Sequence, residues 1–327
     1  MKKIFRAFVV EPVHPVLFQI FQQHSIVCTD GSSFSEAESL QALQDTDILI
    51  VRSKEVSKCV INAAPYLKII GRAGSGMDTI DVSYAQSKGI ICLNSPEGNK
   101  DAVGEHVIGM LLMLLHKLKK ADMEVRHRIW DRKSNWGLEL KEQTVGIIGY
   151  GHMGSAVAKK LSGFECPILV YDKYKTNISD PYVQSVSLDD IFKEADIVSV
   201  HLPLNKETLY YADEDFFERF QKPIVFINTS RGKILKTSAL VHAMKSGKVK
   251  GACLDVLEYE ESGFEKMSPR KNADFEYLIK SDQVILTPHI AGWTFQSYEK
   301  ICRIIAEKVI KQLEQMRKRK ESVQEDP

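Results

Sequence analysis

Apolar runs of strand length alternate with amphipathic stretches of helix length along nearly the whole chain. That alternation is how β-α-β units around a parallel sheet present themselves in a sequence, so the fold class is α/β. In the first third, Ile4 to Val10, Asp47 to Val51, Leu67 to Ile70 and Ile90 to Leu93 read as strands, each followed by turn or polar residues. After Pro96, Glu97 and Gly98 the pattern changes to one long helix, Ala102 to Lys120. Its basic end, His116, Lys117, Lys119 and Lys120, suits a helix C-terminus. A second and stronger series of strands follows at Thr144 to Ile148, Ile168 to Tyr171, Ile197 to Val200, Ile224 to Ile227, Gly251 to Asp255 and Val284 to Leu286. From Phe295 the pattern predicts one more helix, Ser297 to about Met316, and then a frayed charged tail, KRKESVQEDP.

The chain has 327 residues, which at roughly 150 per domain gives about two domains. The boundaries, near residues 100 and 292, rest on the change of pattern alone, since neither an internal repeat nor a low-complexity linker separates the parts. With 44 Lys and Arg against 43 Asp and Glu the net charge is +1, so neither a nucleic-acid binder nor a disordered chain is indicated. Arg6 interrupts the apolar start MKKIFRAFVV and no small-residue cleavage site follows, which argues against a secretory signal. The most apolar stretch, Val107 to Leu115, is about half the roughly 20 residues a bilayer span needs. No membrane partner is expected. Cys28, Cys59, Cys92, Cys166, Cys253 and Cys302 show no paired or zinc-type spacing and read as reduced thiols of a cytoplasmic protein, with no metal.

Gly149, Gly151 and Gly154 form G-x-G-x-x-G directly after an apolar strand and directly before an amphipathic helix, in TVGIIGYGHMGSAVAKKL. The first glycine permits a tight turn, the second lets the backbone approach a pyrophosphate, and the third lets helix pack on strand. Eighteen residues beyond Gly154, Asp172 ends the next strand, where a carboxylate can accept from ribose hydroxyls and would repel a 2′-phosphate. NAD is thus favoured over NADP, a preference that Lys173 and Lys175 soften. A glycine turn serving packing alone, or a methyltransferase turn, is the alternative.

In an open parallel sheet the ligand lies beyond the carboxyl ends of the strands. Three polar residues stand there: Arg231 after PIVFINTS, Glu260 after GACLDVLEY and His289 after QVILTP. Singly these are a solvated arginine, one member of the run Glu258, Glu260, Glu261, and a strand-end histidine. Together with the cofactor turn they make a redox site for a 2-hydroxy acid: a histidine acid/base, a carboxylate to orient it, and a guanidinium to grip the substrate carboxylate. Asp255, ending its strand, reads as a cofactor contact ahead of a structural cap, and Thr229 and Ser230 as cofactor contacts or turn formers.

These residues resemble the D-isomer-specific 2-hydroxyacid dehydrogenase family, and within it the D-3-phosphoglycerate dehydrogenase type without a C-terminal regulatory domain. The resemblance runs through VRS (51–53), GRAGSGMDTID (71–81), SPEGNKDAVGEH (95–106), ELKEQTVGIIGYGHMG (139–154), HLPL (201–204), NTSRG (228–232), GACLDV (251–256) and TPHIAGWT (287–294). It implies two Rossmann-like or flavodoxin-like domains with a cleft between them: a discontinuous substrate domain, 1–100 with 292–327, and an NAD domain, 101–291. A hinge near 99–101 and 291–294 would close them. Catalysis by Arg231, Glu260 and His289 is implied, with cofactor contacts also from His152, Met153, His201, Leu202, Pro203, Thr208 and Gly292. Arg52, Ser53, Arg72, Gly74, Ser75, Gly76 and Asn99 match the segments that line the substrate side, where Arg52 or Arg72 meets a second anion. A homodimer through Ala102 to roughly Leu140 is implied, with Trp130 and Trp136 as buried anchors. The departures are His152-Met153 where relatives carry Arg-Ile, and Glu260-Glu261 where they carry Glu-Pro. Since the chain stops about thirty residues after TPHIAGWT, amino-acid regulation is not expected. Glyoxylate or hydroxypyruvate reduction is the alternative activity, and an NAD-sensing corepressor-like binding protein the alternative class.

Overall fold

The computed structural model describes residues 4–176, 178–261 and 272–324. The described residues fall into two compact units, one running to Asn99 and resuming at Trp293, the other running from Lys100 to Gly292. Each contains one sheet, and every strand pairing in both is parallel. None of the described helices is long and apolar enough to cross a membrane.

The first unit contains β1 (Phe5–Val9), β2 (Ile26–Asp30), β3 (Ile48–Val51), β4 (Ile69–Arg72) and β5 (Ile91–Asn94). Their spatial order, β2-β1-β3-β4-β5, is the flavodoxin-like arrangement, in which the chain reverses its direction of travel between β1 and β3. The strand β2 is absent from the sequence reading. It lies at the sheet edge, where only Ile26 is buried, so IVCTD has no continuous apolar run to betray it. The helix Phe295–Gln324 packs Ile301, Ile305, Val309 and Leu313 into this unit's core, one apolar residue per turn on a single face. It outruns the predicted end near Met316, and its last turns replace the expected fraying of the tail. No Gly or Pro interrupts the stretch before Pro327, and Lys, Arg, Glu and Gln are good helix formers. Glu325 to Pro327 lie outside the described residues.

The second unit contains β6 (Val145–Ile148), β7 (Ile168–Tyr171), β8 (Gln184–Ser185), β9 (Ile197–Val200), β10 (Ile224–Asn228), β11 (Val249–Leu254) and β12 (Val284–Leu286). Their order is β12-β11-β10-β9-β6-β7-β8, a doubly wound sheet that reverses between β6 and β9. Hydrophobic clusters cover both of its faces, which is why its central strands read as unbroken apolar runs. The two-residue edge strand β8 is too short to read.

The predicted helix 102–120 is two helices, Lys100–Leu115 and Leu118–Arg126, parted by Lys117 in the left-handed region at φ 53°. The returning chain causes the break. Leu138 N–H donates to the Leu115 carbonyl at 3.0 Å, and Gly137 lies so close that a Cβ there would come within 2.7 Å of that oxygen. With the carbonyl taken by a distant residue, the helix ends there.

Candidate active site

All the strands of the second sheet run the same way, so the loops after β6, β7, β9, β10, β11 and β12 emerge at one edge. The turn after β6 has Gly149 at φ 93°, and a Cβ there would meet the His201 carbonyl oxygen at 2.4 Å. Only glycine satisfies both demands. At Gly154, in the helix His152–Leu161, a Cβ would meet the Gly149 oxygen at 2.0 Å, whereas at Gly151 it would have nothing within 4 Å. The middle glycine therefore faces open space at the start of a helix, as a backbone cradle for a pyrophosphate requires. Met153 packs into the core beneath the turn, and His152 is exposed.

Just beyond β7, the Asp172 carboxylate takes backbone N–H groups from Tyr150 at 2.7 Å, Tyr174 at 2.9 Å and Lys175 at 3.0 Å. Burial pushes the carboxyl up, but these amides and the Lys175 charge carry it below the ordinary value, so it is ionised. The cations beside it are already engaged: Lys173 Nζ meets Glu207 at 2.6 Å, and Lys175 Nζ donates to the Tyr150 carbonyl at 2.8 Å. The Lys173 charge is thereby paired, and the ionised Asp172 itself repels a 2′-phosphate.

Across the strand-order reversal, His201 follows β9. Its Nε2 shares a hydrogen bond with Ser199 Oγ at 2.9 Å, and burial pushes the imidazole down to about 4, so the ring is neutral near pH 7. Its Nδ1 and the Thr229 hydroxyl are buried polar atoms with no protein partner among the described residues. Such atoms are costly unless a ligand or water completes them, and here both flank the glycine turn's side of the sheet. The residues thus fit a dinucleotide. Leu202 and Pro203 continue the same loop, which Thr208 ties back by donating to the Pro203 carbonyl at 2.5 Å. Ser230 Oγ is spent on the Val200 carbonyl at 2.6 Å.

Beyond β10, β11 and β12 stand Arg231, Glu260 and His289. His289 Nδ1 lies 2.7 Å from Glu260 Oε2, and Glu260 Oε1 accepts the Leu257 amide at 2.5 Å. Glu258 is turned elsewhere, accepting the Thr237 amide at 2.9 Å. Arg231 Nη1 donates to its neighbour's carbonyl, Ser230, at 2.7 Å, and Asn228 Nδ2 holds the Arg231 carbonyl at 3.0 Å. His289 itself sits in the left-handed region, φ 56°, an uncommon conformation for a non-glycine residue that its surroundings must enforce.

Asp255 supplies that enforcement. Its carboxylate is 1% exposed, and both of its oxygens accept bonds from within the protein. Oδ1 accepts from the Thr287 hydroxyl at 2.6 Å and the Ile290 amide at 2.9 Å, and Oδ2 from the Ala291 amide at 2.9 Å. The Asp255 carbonyl takes the His289 amide at 2.7 Å. Every one of these donors belongs to the loop that carries His289 and continues to Gly292, so Asp255 fastens that loop. His106, from the helix Lys100–Leu115, adds Nε2 at 2.9 Å from Thr287 Oγ1. Sequence spacing offers no signal for His106.

In the first unit, the Arg52 and Ser53 amides are held by Glu11, which sequence reasoning missed. The Gly74 amide donates to Ser95 Oγ at 3.1 Å and is not available to an anion; Ser75 Oγ donates to Asn99 Oδ1 at 2.6 Å. Gly76 follows in the same turn. Arg72, at the end of β4, lies against Gly74, its Nη1 within 2.1 Å of where a Cβ would stand.

The model of the NAD binding domain of D-isomer specific 2-hydroxyacid dehydrogenases matches residues 108–291. The chain is 34% identical over 308 residues to the D-3-phosphoglycerate dehydrogenase of Archaeoglobus fulgidus, covering 93% of this chain and 56% of that protein. It is 32% identical over 310 residues to the hydroxypyruvate reductase of Thermotoga maritima, covering 94% of this chain and 98% of that protein. It thus spans about half the length of the first relative and nearly all of the second. Among solved structures, D-lactate dehydrogenase from Aquifex aeolicus complexed with NAD and lactic acid is similar at a TM-score of 0.78 and 31% identity, covering 96% of this chain and 95% of that one.

Proposed function

The chain belongs to the D-isomer specific 2-hydroxyacid dehydrogenase family, and from that premise we propose that it is an NAD-dependent oxidoreductase acting at C2 of a small D-2-hydroxy acid or its 2-keto partner. The observation that carries this reading is the 2.7 Å contact of His289 Nδ1 with Glu260, at the edge of the sheet where Arg231 and the glycine turn also emerge. When bound, the nicotinamide supplies the hydride to C2 in reduction, or accepts it in oxidation. The protein manages the rest. With Nδ1 engaged by Glu260, the Nε2 position of His289 is the one that gives a proton to the C2 oxygen as the ketone becomes an alcohol, or takes it in reverse. Glu260 orients the ring. Arg231 grips the C1 carboxylate and polarises the carbonyl. Gly149, Gly151 and Gly154 shape the pyrophosphate cradle, and Asp172 takes the ribose hydroxyls. His289→Ala is expected to cut kcat by at least a hundredfold while NADH still binds. Unchanged turnover in that variant sinks the assignment.

Among substrates we place a three-carbon phosphorylated acid first, as the name of the Archaeoglobus relative suggests. Hydroxypyruvate is the second reading, favoured by the near full-length match to the Thermotoga reductase. NADH oxidation against both, with glyoxylate alongside, separates them. We further infer a homodimer through 102–140. In the single chain Trp130 and Trp136 are 80% and 78% exposed, and Leu118, Met123, Val125 and Ile129 are exposed nearby in sequence, an apolar series that association would cover. Trp130→Asp with Trp136→Asp should halve the sedimenting mass, and a parental mass in that variant overturns the dimer. The six free cysteines suit the cytoplasmic setting read from the sequence.

A further inference from the structure

The helix Thr237–Lys245 begins without a capping side chain of its own, because its N-cap position holds Lys236, a residue type with no acceptor to offer. The cap comes from another segment. Glu258, in the loop after β11, accepts the Thr237 amide at 2.9 Å, which sets a carboxylate against the positive end of that helix. Thr237 is 1% exposed, so an unmet donor there would be costly. The Tyr210 hydroxyl, from the loop after β9, donates to the same carboxylate, and burial together with that contact pushes the phenol above its ordinary value. Tyr210 stands at φ 53°, in the left-handed region where a tyrosine is an outlier, and its amide donates to the Lys233 carbonyl at 2.8 Å. Glu258 thus joins the loops that follow β9, β10 and β11 at one edge of the second sheet.

What Glu258 holds in place is a short turn. The Leu257 amide donates to Glu260 Oε1 at 2.5 Å and the Glu260 amide to the Leu257 carbonyl at 3.2 Å, so residues 257–260 close on themselves. The side chain that closes them is the one whose other oxygen meets His289. On its far side the turn is wedged against Gly232, where a Cβ would come within 1.8 Å of the Leu257 carbonyl oxygen. Among the described residues Glu260 bonds to Leu257 of its own turn and to His289, so the direction of its carboxylate rests on where the turn lies. Glu258, two residues earlier, ties that turn to the helix and to Tyr210.

We propose that Glu258 is a positioning residue of this site: by capping the helix Thr237–Lys245 and taking the Tyr210 hydroxyl, it fixes the turn from which Glu260 addresses His289. The kinetic part rests on the activity proposed above; the structural part does not. Glu258→Ala should lower kcat for NADH-dependent reduction about ten- to a hundredfold, the worth of the charge-assisted bonds lost, with KM for NADH within about twofold of the parent. Glu258→Gln keeps an acceptor for the Thr237 amide and should lose less. Tyr210→Phe, which deletes one hydroxyl donor, should cost about two- to tenfold. Since both residues act through Glu260, the double variants E258Q/E260Q and Y210F/E260Q should each match E260Q alone. A merely structural role would leave kcat per NADH-binding site at the parental value, or would lower it further in the E260Q background; either result overturns the proposal. Hydrogen exchange needs no turnover. E258Q should speed exchange of the Leu257 and Glu260 amides by about tenfold or more and leave that of Ile147, in β6, unchanged. Parental exchange at 257 and 260 in that variant overturns the fixed turn. If the parent turns over no 2-keto acid, the activity reading fails while the exchange measurement still decides this one.

Discussion

Replacing Asp255 by asparagine keeps the shape of the side chain and removes its charge. Both carboxylate oxygens face donors: Oδ1 the Thr287 hydroxyl and the Ile290 amide, Oδ2 the Ala291 amide. The new NH2 must therefore point at a donor. Its least costly place is that of Oδ2, which forfeits one charge-assisted bond and leaves a buried N–H unmet, while the two remaining bonds weaken. The sum is about 2–4 kcal/mol. The loop so loosened holds His289 at φ 56°, a conformation worth about 1–2 kcal/mol to relinquish, so the ring leaves its working position for part of the time. Urea unfolding should show a lower midpoint at unchanged slope, and kcat for NADH-dependent reduction should fall about ten- to a hundredfold. Parental kcat, with a stability change under about 0.5 kcal/mol, would refute the reasoning. The pH dependence gives a second check. Burial raises the Asp255 carboxyl, but bonds from His106, Thr287, Ala291 and Ile290 carry it below its ordinary value of 3.8. A depressed carboxyl contributes stability that is present above the unfolded value and lost as pH falls through the folded one. D255N should accordingly lose less stability than the parent below about pH 4.

The glycine turn separates folding from cofactor binding. Gly151→Ala places a methyl in open space at φ −83°, so thermal stability should hold or rise by a few tenths of a kcal/mol, roughly, while NADH binding weakens at least tenfold. Gly154→Ala meets the Gly149 oxygen at 2.0 Å and should destabilise the free protein by about 1–3 kcal/mol. Parental NADH affinity in G151A would contradict the cradle. His201 is a pH probe: with its ring pushed from 6.5 down to about 4, the unfolded chain takes up a proton across that window and the folded chain does not. Stability should then fall as pH is lowered from about 6.5 to about 4, by about 3 kcal/mol at most, and His201→Asn should remove that slope. Equal slopes in both proteins would show that the ring is not desolvated.

The sequence by itself determined the features that depend on local burial. Strands of the second sheet covered on both faces, such as β7, β9 and β12, read correctly to the residue because continuous apolar runs have no other use there. The strands β2 and β8 escaped notice for the opposite reason: only Ile26 of β2 is buried, and the two residues of β8 are both exposed. The glycine turn was equally legible, since its spacing, preceding strand and following helix are all local. Which polar group meets which was a different matter. Glu258 and Glu260 are two residues apart in one acidic run, and only the packing of the Thr237 amide against the former leaves the latter for His289. What Asp255 meets inside the protein was equally hidden: the loop at 287–291 folds over it, with His106 behind Thr287. The stacking of Arg52 on Trp293 brings together residues far apart in the sequence and leaves no periodicity behind. Burial follows from a residue's own type and its near neighbours, whereas a hydrogen-bond partner is chosen by whatever segment the fold brings alongside, and that choice exists only in the tertiary structure.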